Sequence, residues 1–153
     1  MRFAIVGVGD ISHQYLKQAA IDPRIEFVGA SARTLESAQR VAEQYGIPAW
    51  FDDFEAMYDQ VAPDVVIVAT PSAHHVVPTL AALQRGIHVV CEKPMATSYD
   101  DCRAMVDAAR ENGVLLRLQS DSKTAPAPFE ATLAELERDH EWLVGELQDR
   151  PRR

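Results

Sequence analysis

The sequence predicts a doubly wound, mainly parallel α/β sheet, with an extra amphipathic helix at its C-terminal end. Three observations carry that prediction. Short apolar runs alternate with amphipathic stretches up to about Leu118. The first run, Phe3-Ala4-Ile5-Val6, flows straight into the glycine turn Gly7-Val8-Gly9. The run Asp64-Val65-Val66-Ile67-Val68-Ala69 is apolar without alternation, as expected of a central parallel strand covered on both faces.

The elements follow in order. Residues 2–6 form the first strand, and 11–20 the helix after the glycine turn, broken by Asp22-Pro23. Residues 25–30 form the second strand. Thr34 caps a helix that runs to Tyr45 and stops at Gly46. Ala49-Trp50-Phe51 is a short third strand, with a small helix over 53–60. The central strand, 64–69, leads to a helix over about 75–85 that ends at Gly86. Residues 87–91 form the next strand. Ser98 and Asp101 resemble a capping box for a helix through Asn112, which Gly113 closes before a last strand at 114–118. Residues 1–118 are thus one dinucleotide-binding unit. Residues 119–128 read as a linker, with prolines at 126 and 128. Phe129, Leu133, Leu136, His140, Leu143 and Leu147 then mark an amphipathic helix over 129–148.

Composition narrows the function. The net charge of −8 disfavours nucleic acid, which needs clustered Lys and Arg, but not a single dinucleotide held by backbone N–H groups. No apolar stretch reaches the roughly 18–20 residues of a membrane span. The chain starts directly in its first strand, and Cys91 and Cys102 give neither a disulfide framework nor metal spacing. A cytoplasmic enzyme is the simplest expectation.

Candidate site residues gather where strands end, because open α/β sheets bind ligands outside the carboxyl ends of their strands. Gly7 and Gly9 let the backbone turn and approach a pyrophosphate, while the helix starting near Asp10 and Ile11 offers its N-terminus. Ser12 replaces the usual third glycine of that fingerprint with another small residue. After the second strand, an Asp or Glu would bind a ribose 2′-hydroxyl; Ser31-Ala32-Arg33-Thr34 stands there instead. Arg33, with Ser31 and Thr34, suits a 2′-phosphate, so NADP is favoured and NAD is the second choice. Thr70-Pro71 and His75 follow the central strand and should flank the crevice; without a third ligand the pair His74-His75 is no metal site. Lys93, in Glu92-Lys93-Pro94, emerges after a buried strand. It would bind the nicotinamide ribose or a substrate oxygen, with Glu92 orienting it or capping a local turn. Cys91 reads as inert core.

These residues, in this order, resemble the glucose-fructose oxidoreductase / inositol dehydrogenase / rhizopine-catabolism (Gfo/Idh/MocA) family of NAD(P)-dependent oxidoreductases. The resemblance runs from Arg2 to about Leu116. It rests on Gly7-Val8-Gly9-Asp10-Ile11-Ser12, on Asp64 to Pro71, on His75, and on Gly86 to Ala96 with its Glu92-Lys93-Pro94. It implies a Rossmann domain, a catalytic Lys93 beside the nicotinamide and substrate, His75 near the cofactor, and a small sugar- or polyol-like substrate. The family continues into a second α/β domain carrying most substrate contacts, and this chain holds only a helix resembling its beginning. The alternative is therefore a non-catalytic dinucleotide-binding or interaction module. The leucine stripe of 129–148, lacking that sheet, predicts a homodimer or an exchanged helix.

Overall fold

A computed structural model describes residues 1–119, and Met1–Gln119 forms one compact unit. The expected linker after Gln119, the helix over 129–148 and the association inferred from its stripe lie outside the described residues.

The strands β1 (Arg2–Val6), β2 (Glu26–Ser31), β3 (Trp50–Phe51), β4 (Val65–Val68), β5 (His88–Cys91) and β6 (Leu116–Leu118) form one sheet in the order β3-β2-β1-β4-β5-β6. All pairings are parallel. Between them run α1 (Asp10–Ala19), α2 (Leu35–Tyr45), α3 (Phe54–Val61), a 3₁₀ turn (Ser72–His74), α4 (Val76–Leu83) and α5 (Tyr99–Asn112). The winding reverses between β1 and β4, the switch point at which open α/β sheets place their ligand crevice.

Period-two alternation explains the double burial. Ala4, Val6, Val66, Val68, Val89 and Cys91 face one core cluster with Met57, Tyr58, Leu83 and Met105 from α3, α4 and α5. The alternate residues Phe3, Ile5, Val65, Ile67 and Val90 are equally buried on the other face. Helix starts are fixed by the expected caps. Thr34 Oγ1 accepts from Ser37 N at 3.3 Å and Ser98 Oγ from Asp101 N at 3.1 Å. Asp53 Oδ1 does the same for α3, accepting from Glu55 N at 2.8 Å.

Most boundaries shift by one or two residues, and two of the shifts bear on the site. The second strand runs one residue further than expected, into Ser31. The expected helix over about 75–85 is the shorter α4, which starts after its N-cap His75 and is preceded by the 3₁₀ turn at 72–74.

Candidate functional site

Register lines the strand ends up in one row. Phe51, Ser31, Val6, Val68, Cys91 and Leu118 pair in sequence across the sheet. The next residues are tied strand to strand: Gly7 N donates to Ser31 O at 2.8 Å, Ala69 N to Val6 O at 2.8 Å, and Glu92 N to Val68 O at 3.0 Å. The loops after β1, β4 and β5 therefore leave from fixed, adjacent points.

The two glycines are glycine for different reasons. Gly7 sits at φ +94°, and a Cβ there would lie 2.7 Å from backbone atoms of Ala69 and Thr70. Gly9 has φ −77° and ψ −172°, which any residue adopts, and a Cβ there would meet no heavy atom within 4 Å. Nothing inside the described residues requires glycine at position 9; an outside group approaching the backbone would. Gly9 is also the N-cap of α1 and brings no side-chain cap; Ser12 N donates to Gly9 O at 3.0 Å, which leaves the N–H groups of Asp10 and Ile11 for a ligand. Asp10 and Ile11 are both exposed at that helix start, whereas Ser12 is fully buried and its hydroxyl donates to Gly9 O at 2.5 Å.

Thr70 contributes a second sign of a ligand. Its Oγ1 is buried without a hydrogen-bond partner, a state that costs about 1–3 kcal/mol if nothing binds it. Pro71 beside it is exposed. These residues fit a pyrophosphate-bearing dinucleotide: a backbone cradle open above Gly9, a helix N-terminus and an unused hydroxyl.

At the β2 end the three residues separate. Ser31 is 2% exposed, its side chain turned into the protein by the extra strand residue. The Thr34 hydroxyl is occupied, donating to Ser37 Oγ at 2.8 Å while capping α2. Arg33 is exposed, and among the described residues no ion pair holds it. Arg33 alone is available to an anion there.

His75 is not on the crevice surface. It is 1% exposed, with Nδ1 2.9 Å from Pro94 O and Nε2 2.7 Å from Thr70 O. Both ring nitrogens face backbone, so the ring fastens the Thr70 loop to the Lys93 turn instead of offering a nitrogen outward. His74 is exposed. Among the described residues no group of three His, Cys, Asp or Glu could hold a metal ion.

Lys93 stands exposed on the turn after β5, next to a cis peptide with Pro94. Glu92 is half-buried; its Oε2 accepts from Lys93 N at 3.2 Å and its Oε1 from the Tyr15 hydroxyl. Burial first, then Glu92, pushes the Tyr15 phenol well above its ordinary value. Nothing local in the sequence singles out Tyr15. The available signal was a tyrosine on the buried face of α1, beside Ser12, Leu16 and Ala19, whose hydroxyl needs a partner.

Cys91 is fully buried, and burial pushes its thiol up to about 12. Its thiolate is therefore negligible at pH 8, and its contribution to stability is complete below the unfolded value of about 8.5 and lost as pH rises towards 12. We expect a thiol reagent at pH 8 to label half-exposed Cys102 alone, and both cysteines after denaturation. Two fast labelling events on folded protein would contradict the burial.

A six-stranded parallel sheet with a glycine turn at its switch point defines the class: a Rossmann domain built for a dinucleotide. Residues 1–120 match the Gfo/Idh/MocA oxidoreductase family, described by its NAD-binding Rossmann fold, and the chain belongs to that family. Among curated relatives, D-glucoside 3-dehydrogenase of Escherichia coli (strain K12) is 38% identical over 117 residues, covering 76% of this chain and 33% of the relative. The scyllo-inositol 2-dehydrogenase (NADP(+)) IolU of Bacillus subtilis (strain 168) is 32% identical over 116 residues, covering 76% of this chain and 35% of the relative. Among solved structures, WlbA dehydrogenase from Bordetella pertussis, in complex with NADH and UDP-GlcNAcA, superposes with a TM-score of 0.76 at 32% identity. That match covers 81% of this chain and 38% of the other. The chain spans about a third of the length of the curated relatives it matches.

Proposed function

We propose that this chain supplies the cofactor-binding part of an NAD(P)-dependent oxidoreductase acting on a sugar- or polyol-like alcohol or carbonyl, with NADP preferred. The observation that carries the reading is the meeting of three loops at one sheet edge: open backbone at Gly9, an unpartnered hydroxyl at Thr70, and Lys93 on the turn after β5. The relatives' names support the substrate class, D-glucosides and scyllo-inositol among them.

In this reading the N–H groups at the start of α1 hold the pyrophosphate, near Asp10 and Ile11, and the Thr70 hydroxyl donates to it beside Pro71. Arg33 binds the 2′-phosphate by charge-assisted hydrogen bonds, with Ser31 and Thr34 shaping its loop. When bound, the nicotinamide supplies or accepts hydride. Lys93 polarises the reacting oxygen by placing positive charge where negative charge develops, and Glu92 and His75 hold the turn that carries it.

The test is a titration of the chain with NADPH and NADH, read by tryptophan fluorescence, to which Trp50 on β3 and Trp142 both contribute. Tighter binding of NADPH by about tenfold is expected, with Arg33→Ala erasing the difference. If neither dinucleotide gives a saturable change, the cofactor reading fails. If Arg33→Ala leaves the ratio unchanged, the NADP preference fails alone.

A further inference from the structure

The turn carrying Lys93 is anchored on three sides. Glu92 N donates to Val68 O at 3.0 Å, fixing the backbone to β4. His75 reaches Pro94 O at 2.9 Å from the other side of the turn. The third anchor comes from α1, 77 residues away in sequence, where the Tyr15 hydroxyl donates to Glu92 Oε1. The same carboxylate accepts from Lys93 N through Oε2 at 3.2 Å, so one side chain bridges the helix and the lysine's own backbone.

We propose that Tyr15 and Glu92 form a clasp that sets Lys93 at the nicotinamide end of the crevice, which makes Tyr15 a positioning residue. This rests on the dinucleotide reading above. Tyr15 is 5% exposed, so packing alone would be served by phenylalanine; what the hydroxyl adds is the bond to the Glu92 carboxylate. Its raised phenol value keeps it a protonated donor across the working range. The helix makes the clasp more than a local contact. Tyr15 lies six residues after Gly9, about 9 Å along a rigid rod whose start faces the pyrophosphate. One element therefore fixes both the phosphate cradle and the lysine turn, and the distance between them is set before any ligand arrives.

Two measurements test this on the full chain. The first, without cofactor, follows the Lys93 amide proton by nuclear magnetic resonance in wild type, Tyr15→Phe and Glu92→Gln. We expect an upfield shift in both variants and little further change in the double variant, because they break one shared contact. The second compares NADPH with adenosine 2′,5′-bisphosphate, which lacks the nicotinamide end. Tyr15→Phe should weaken NADPH by about fivefold and leave the bisphosphate unchanged. An unmoved amide resonance overturns the clasp, and equal weakening of both ligands overturns the positioning role in favour of general support of α1. Failure of the wild type to bind NADPH would end the dinucleotide reading and Tyr15's role with it, whatever the resonance does. Should Tyr15→Phe fold poorly, Glu92→Gln reads the same contact from the other side.

Discussion

Gly7→Ala is expected to destabilise the chain by about 3 kcal/mol and lower its Tm by about 10 °C or more, whereas Gly9→Ala should leave Tm nearly unchanged. At position 7 the new Cβ meets Ala69 C, Ala69 O and Thr70 N, each at 2.7 Å, at a φ of +94° that L side chains rarely adopt. Those atoms cannot yield cheaply, because Ala69 N is itself bonded to Val6 O at 2.8 Å. At position 9 the backbone is ordinary and the space empty, so stability should stay within about 0.5 kcal/mol of wild type. The effect there falls on binding: a methyl group in the pyrophosphate's path should weaken NADPH by at least about tenfold. Thermal melting by circular dichroism and NADPH titration separate the two. A Gly9→Ala chain with full affinity would remove the pyrophosphate from this turn.

The second large effect is expected at His75. His75→Ala should lower stability by about 3 kcal/mol, seen as a shift of the urea midpoint with an unchanged slope. The fully buried ring leaves a cavity, and whichever of the Thr70 and Pro94 carbonyls, 2.7 and 2.9 Å from the ring nitrogens, accepts the ring N–H loses its donor. A neutral ring donates through one nitrogen only, and the proton's position decides which carbonyl is bonded. His75→Asn retains one amide donor and should recover part of the loss. A loss below about 1 kcal/mol in His75→Ala would mean the ring does not hold the two loops together.

What could be foreseen and what could not divide along physical lines. Strands β1, β4 and β5 were legible because a parallel strand buried on both faces is apolar without a break. The caps at Thr34 and Ser98 were legible because capping is local chemistry, settled within three residues. The strand end at Ser31 lies one position beyond the expected one, and one added strand residue decides whether a side chain faces inward or out. His75 and Tyr15 depend on partners far along the chain, Pro94 and Glu92, and no periodicity encodes such a meeting. Pattern located the carboxyl edge of the sheet; only the fold showed which residues brace it from behind.

The parallel row of strand ends has one more consequence, for how such a protein can change. Arg33 follows β2 and Lys93 follows β5, with β1 and β4 standing between them. Three strand spacings separate the two loops by about 14 Å, and each is anchored by its own strand. At that distance, changes without shared partners combine nearly independently. In the proposed reading, the choice of dinucleotide at Arg33 and the placement of Lys93 are therefore separate modules on one frame, and either can be rewritten while the other is left alone.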